Sequence, residues 1–494
     1  MKLLSLAGAE TDSQVYAVLV SASLVLSVWG AYAQFVPNPD AVHYLRAAEL
    51  FANGQWSEGA EVYRWPFYSA SVAFVIALTG ASALAAAHTV NALLDAATAV
   101  IFVALVGRLA GDSRRIVLWA ALFILMHPKL MQLRPLIIRD HGFFAFFLLA
   151  LYLLVVDRQS PSIMRKLGIA GAIALATLFR LEGAFLFLIV PAFYFFDRSS
   201  SFAAKAAVVA VVLLVCGLFV PGYSLWTGTN AFSTSSVTGV VGGWSGQIEN
   251  LFKHMHVLSG QLEKMLPPGR NVGALAYAGI VWAITLDVLL RALTMPIAVL
   301  AIFAFLPRRL LPEFATRFVG WFAWWQLPLL LTFMAFALFL DWRYAMAFAL
   351  VGGIPAVFAL EAAAHNASFG GRREKLVLYA AVGAIVIPFM LAVPKVSNLS
   401  YMRDAGYWIR DELPVGTGIL TNEGRLAYFS GRAYEREIRF RVTEGLKDSL
   451  PGADYLLLHI HSEVSPSMPG IDQAKIVATF KGEGDGRIVA YRLR

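Results

Sequence analysis

Asp40 stands in FVPNPDAVHYLRAAEL, where Pro37 and Pro39 stop an apolar helix and a new helical pattern begins at Ala41. An aspartate in that place has an ordinary use, capping the helix that follows. It also has a chemical one. A carboxylate held at a membrane surface and shielded from bulk water by apolar walls keeps enough basicity to take a proton from a hydroxyl. His43 and Tyr44 follow one turn on, and Arg64, Trp65 and Pro66 close the same polar stretch, so His43, Tyr44 and Arg64 are candidates for holding a substrate beside Asp40.

A second concentration of charge lies in HPKLMQLRPLIIRDHGFF (127–144), which carries Lys129, Arg134, Arg139, Asp140 and His141 between two apolar runs. One reading is a set of side chains snorkelling to the headgroup level. The other is a cationic seat for a lipid phosphate, with Arg as a fork and Lys as a point charge. Asp140 then either holds one of these arginines or is a second catalytic carboxylate. Two further sites interrupt apolar sequence: Arg180 and Glu182 in LFRLEGAF, and Asp341, Trp342, Arg343 and Tyr344 in a later segment. Charge at such depth is functional or at least paired, and an internal Arg180–Glu182 contact is the plainer alternative. His88, His254, His256, His365, His459 and His461 have no metal-ligand spacing.

The elements that must position these residues are membrane helices. The chain is 59% hydrophobic and 15% charged, against about 25% charged in a soluble domain, which excludes a single water-soluble protein. More than a third of the charged residues fall in the final 100 positions, so residues 1–393 read as a transmembrane domain and 394–494 as an ordinary small α/β domain. About eleven apolar stretches are long enough, or nearly so, to span a bilayer. The first, 15–36, has no small-residue cleavage site after it and is not a removable signal peptide. The segment 66–80 is too short to span and reads as re-entrant or juxtamembrane; 272–291, with Asp287 and Arg291, reads as an interfacial piece leading into a single span.

Five short basic loops, around Arg108, Arg158, Arg198, Arg308 and Arg372, set the orientation. By the positive-inside rule they are cytoplasmic, which puts the N-terminus inside and the C-terminus outside. The same rule accounts for most of the net charge of +8, so no nucleic-acid partner is expected. Facing outward are loops 37–81, 129–140 and 223–270 and the tail, the first and third long enough to carry function. In the tail, 399–412 has amphipathic helical spacing, and Gly418 to Thr421, Tyr455 to His459 and Ile488 to Tyr491 are strand candidates. The lone cysteine, Cys216, lies in an apolar run and builds no disulfide framework.

In this order and sidedness the chain resembles the GT-C superfamily of membrane glycosyltransferases, in the branch of protein O-mannosyltransferases and aminoarabinose lipid A transferases. The resemblance runs through Asp40 and Tyr44, RWPFYSASVAFVIALTG (64–80), RDHGFFAFFLLALYLL (139–154), FRLEG (179–183), WRYAMAFALVGGIP (342–355), and AGYWIRDELP and AYFSGRAY in the tail. It implies that Asp40 is the catalytic base of an inverting transfer from a polyprenyl-phosphate sugar. It also implies that Asp140 is the acid of the second outer loop and that Arg139 or Arg343 faces the donor phosphate. Arg139 and His141 make that loop too basic for the metal-holding version, so no metal or other cofactor is expected, a divalent ion being the less favoured alternative. The acceptor is a lipid, glycan or protein, and the location a bacterial inner membrane. Two rivals remain: a transporter or flippase for a lipid-linked glycan, disfavoured by the lack of an internal repeat, and a non-catalytic envelope scaffold.

Overall fold

In a computed structural model the described residues are 2–63, 65–197, 201–227, 253, 256–257, 259–261, 272–305, 310–337, 339–396, 399–432, 438–440, 453–460, 475–482 and 486–493. The outward loop 223–270 therefore lies almost wholly outside the described residues, and Arg64 does too. The chain is a series of apolar helices followed by a five-stranded sheet.

Six helices among the described residues are long and apolar enough to cross a bilayer, or seven if the pair Trp342–Gly352 and Ile354–Phe369, bent by 44°, is one span. The fold is the polytopic helical one expected. Yet the count of eleven included shorter apolar pieces, among them Leu181–Phe196 and Phe202–Val215, which fall below the ~20 residues a straight span needs; Phe67–Thr79, read as too short to span, is likewise a short helix. The segment read as an interfacial piece is one continuous helix, Val272–Leu293, and it passes the same test of length and apolarity.

Two compact units make up the chain; one boundary falls between Val393 and Pro394, and Leu26–Ala92 and Arg134–Ile138 group with the tail. One holds Met1–Val25, Leu93–Leu133 and Arg139–Val393; the other holds Leu26–Ala92, Arg134–Ile138 and the tail from Pro394. In the first unit the central pieces are α1 (Asp140–Gln159) and α2 (Ile163–Phe179), which form a hairpin. The α1 helix carries thirteen buried residues around most of its circumference, as a helix enclosed by others must. A short 3-10 turn (Leu181–Phe185) then leads into α3 (Leu186–Phe196). Later helices are α4 (Glu313–Ala337), a 3-10 turn at Trp342–Ala345, and α5 (Met346–Gly352).

In the second unit, α6 (Ala41–Ala52) follows the Asp40 turn and buries Ala41, Val42, Tyr44, Leu45, Ala47 and Ala48. The tail opens with α7 (Ser400–Glu412), which buries Tyr401, Met402, Ala405 and Ile409 and leaves Asp404, Arg410 and Asp411 outside. Its sheet has the order β2-β1-β3-β5-β4, from strands β1 (Ile419–Thr421), β2 (Ile438–Phe440), β3 (Tyr455–Ile460), β4 (Lys475–Lys481) and β5 (Arg487–Arg492). β1 runs parallel to β2 and β3, while β5 is antiparallel to β3 and β4. Alternate strand residues feed two apolar layers: Ile419, Leu457 and Ile488 face α7, and Leu420, Leu456 and Val489 face the other way. Val36 and Phe35, just before the Asp40 turn, join the α7 layer.

Candidate functional site

In the first unit, three charged residues from two ends of sequence meet. Asp140 is the first residue of α1, and Arg180 follows the last residue of α2. Arg180 donates one Nη to the Asp140 carboxylate and the other to Glu182. Asp140 and Arg180 are each 4% exposed, so the ions are out of water, where an unpaired charge is far more costly than a paired one. The guanidinium also lies 4.4 Å from the centre of the Tyr344 ring and 5.8 Å from that of Phe143, cation–π contacts that a desolvated arginine favours. Tyr344 in turn stacks on Phe333 at 4.7 Å. Arg180, Glu182, Tyr344, Gln326 and the rings of Phe143, Phe147, Phe185 and Phe333 line one cleft.

Two glycines make the junction close enough. A carbon added at Gly142 would come within 2.3 Å of the Phe179 ring, and one at Gly183 within 2.5 Å of the Thr177 backbone nitrogen. Gly142 lets Phe179, the residue before Arg180, settle on the first turn of α1. Gly183 lets the 3-10 turn fold back on α2, with its N–H donating to the Arg180 carbonyl at 2.9 Å.

The sequence left Asp140 to hold a loop arginine or to be a second catalytic acid; its partner is instead Arg180, forty positions on. The plainer reading of Arg180 and Glu182, an internal contact, holds, but Arg180 is shared between two carboxylates and is not an open cationic seat. His141 is buried and its Nδ1 lies 2.7 Å from Asp95. Asp95 was not singled out, although an acid inside the apolar run NALLDAATAV is itself a signal. Arg343 takes Asp341 at 3.1 Å through Nε, and Asp341 also caps the turn by accepting the Arg343 backbone N–H. Lys129 donates to Gln132 at 2.9 Å and stands 4.6 Å from the Trp342 ring centre. Burial pushes its ammonium below the usual lysine range, the Arg291 charge adds to this, and Asp341 opposes it. Arg139 is half-buried at the head of α1.

In the second unit, Asp40 occupies the N-cap position of α6, yet its side chain makes no capping bond. It is exposed, so the apolar shielding expected around it is not there. Tyr44 is buried against Tyr63 and Tyr68, with ring centres 4.7 and 5.2 Å away. It is a packing residue there, because α6 turns this face inward. His43 is half-buried on the same helix. Arg134 is 4% exposed and donates to the Ser27 hydroxyl at 2.7 Å; the apolar sequence around it draws it inward, away from any surface cluster.

The tail, given no chemistry from its sequence, contains a buried ionic group of its own. Glu423 receives Arg425 through Nε at 2.7 Å and Nη2 at 2.6 Å, and His459 Nδ1 lies 3.4 Å away. Burial raises the Glu423 carboxyl, but the bonds from Arg425 and His459 outweigh it and hold the group down at about 2.

No protein-family profile matches this chain, and no curated protein does. Among solved structures it is similar to a mutant form of the arabinofuranosyltransferase AftD from Mycobacteria, at 14% identity and a TM-score of 0.51. That match covers 97% of this chain and 41% of AftD, so the chain spans about two fifths of that protein's length. It is also similar to ArnT from Cupriavidus metallidurans in the apo state, at 14% identity over 98% of both chains and a TM-score of 0.47. A further match is ArnT bound to undecaprenyl phosphate, at 14% identity over 97% of this chain and 98% of that one, with a TM-score of 0.45. What the likeness shows is a shared fold: the chain folds as the matching part of AftD does.

Proposed function

We propose that this protein moves a sugar from a polyprenyl-phosphate donor to an acceptor hydroxyl, with inversion, on the outer face of a bacterial inner membrane. The observation that carries the reading is the buried Asp140–Arg180–Glu182 group at the head of an aromatic cleft. One guanidinium there is shared between two carboxylates, and the Arg139 charge also acts on Glu182. Carboxylate oxygens accept from sugar hydroxyls, and aromatic rings such as Tyr344 and Phe143 cover a sugar's apolar face. The fold shared with AftD supports the same reading.

In this scheme the exposed Asp40 carboxylate takes the proton of the acceptor hydroxyl. The acceptor oxygen bonds to the anomeric carbon as the bond from that carbon to the phosphate oxygen breaks. The polyprenyl phosphate leaves as a monoester, and its growing charge calls for cations, a task for Lys129, Arg139 and Arg343. The five basic loops support a cytoplasmic N-terminus and a periplasmic tail.

The test incubates detergent-purified full-length protein with labelled undecaprenyl-phosphate sugars (arabinose, mannose and glucose) and envelope lipid, glycan and protein acceptors. Expected are a labelled product, release of undecaprenyl phosphate, and the same rate in EDTA. General-base catalysis supplies roughly 100- to 10,000-fold, so Asp40→Asn should cut transfer by about 1000-fold while leaving the melting temperature unchanged. Wild-type turnover by that variant would remove Asp40 from the role. Donor binding without transfer to any acceptor would favour a lipid-linked glycan transporter.

A further inference from the structure

We propose that Asn38 is a positioning residue for Asp40, clamping the Asp40 turn to the segment 134–138 through the two polar backbone groups of Ile137. The inference rests on Asp40 being the base.

Asp40 is the N-cap residue of α6, so the backbone of the turn before it sets where its Cα stands. Asn38 lies between Pro37 and Pro39. Each ring fixes its own φ, and each restricts the residue before it to extended conformations. The Asn38 carbonyl accepts the Ala41 N–H at 2.9 Å and so starts α6 one residue past Asp40. Its side chain does something else. Oδ1 accepts the Ile137 N–H at 2.8 Å, and Nδ2 donates to the Ile137 carbonyl at 3.4 Å. The amide's orientation is not arbitrary, since the Ile137 N–H needs an oxygen opposite it. Ile137 is fully buried, a place where unpaired backbone groups are costly.

The segment that Asn38 grips is itself held from other directions. Asn91 donates to the Leu136 carbonyl at 3.0 Å and is fixed by the Tyr68 hydroxyl at 2.9 Å. Arg134 is bonded to Ser27. A carbon at Gly30 would stand 3.2 Å from the Pro135 nitrogen, so the helix bearing Ser27 and Gly30 presses on the segment. In sequence, the same segment runs on from Ile137 to Asp140 in three residues. One asparagine thus ties the turn carrying Asp40 to the segment 134–138. Neither Asn38, Asn91 nor Tyr68 had a signal in the sequence beyond being polar.

The experiment compares Asn38→Ala and Asn38→Asp with the wild-type full chain by hydrogen exchange and by transfer kinetics. Asn38→Ala removes both bonds; Asn38→Asp keeps an acceptor for the Ile137 N–H. The clamp predicts faster exchange at the Ile137 amide in Asn38→Ala and near-normal exchange in Asn38→Asp. A displacement of about 1 Å can cost on the order of 100-fold in rate. Accordingly, kcat for undecaprenyl-phosphate sugar should fall about 30- to 100-fold in Asn38→Ala with KM for the donor unchanged, and recover in part in Asn38→Asp. Unchanged protection of Ile137 overturns the clamp. Faster exchange with a wild-type kcat overturns the positioning role. Full activity in Asp40→Asn would remove Asp40 from the role of base, while the exchange data still decide the clamp.

Discussion

The helical hairpin of α1 and α2 is fastened by ion pairs at both ends, and the two fastenings differ. At the far end Asp157, in the last turn of α1, is fully buried and receives Lys166 Nζ at 3.1 and 2.8 Å. The Tyr194 hydroxyl reaches it at 2.6 Å and the Ser162 N–H at 2.9 Å. Beside it Arg158 holds Asp197 at 2.8 Å. Charges there balance, and the acceptor atoms are filled by the protein. At the near end one guanidinium is shared by Asp140 and Glu182, the Arg139 charge acts on Glu182 as well, and Arg180 and Glu182 border a cleft. Buried charge alone is therefore no mark of a working site. The mark is an ionic group that opens on a cleft where a ligand can stand.

Three substitutions press on this contrast. The largest effect belongs to the balanced end. Lys166→Met strands the Asp157 carboxylate, and breaking a buried pair costs about 3–5 kcal/mol. Thermal unfolding should show that loss, while the transfer rate per folded molecule stays at the wild-type level; a large drop in that rate would erase the distinction. Next comes Glu182→Gln at the other end, which keeps shape and removes one charge. Transfer should fall about 30-fold, on the order of 2 kcal/mol, with stability nearly unchanged; a variant that only unfolds would make both ends structural. Smallest is Tyr194→Phe, which removes one hydrogen bond to Asp157 and should cost about 1 kcal/mol in a denaturation curve without touching KM.

Legibility followed what each residue type can signal alone. Charges inside apolar runs are conspicuous, so Asp140, Arg180 and Glu182 stood out in the sequence. That Asp140 would find Arg180 was not visible, because a forty-residue separation carries no periodicity. The strand candidates around Ile419, Tyr455 and Ile488 all appear, since they sit inside the sheet and are apolar. Strand β4, KIVATFK, was missed. It is an edge, mostly exposed, with Lys at both ends, the composition that keeps an edge from pairing further. Tyr44 is ambiguous for a different reason: a tyrosine near an acid looks like a ligand until its neighbours are known, and here they are Tyr63 and Tyr68.

Gly142 and Gly183 have a practical consequence for anyone tracing the descent of such proteins. Absent bulk at these two points is what lets the Phe179 ring and the 3-10 turn close in. A sequence that retains Asp140 and Arg180 yet gains a methyl at either glycine should have parted their handshake, and it would be a better guess for a retired enzyme than for an active one.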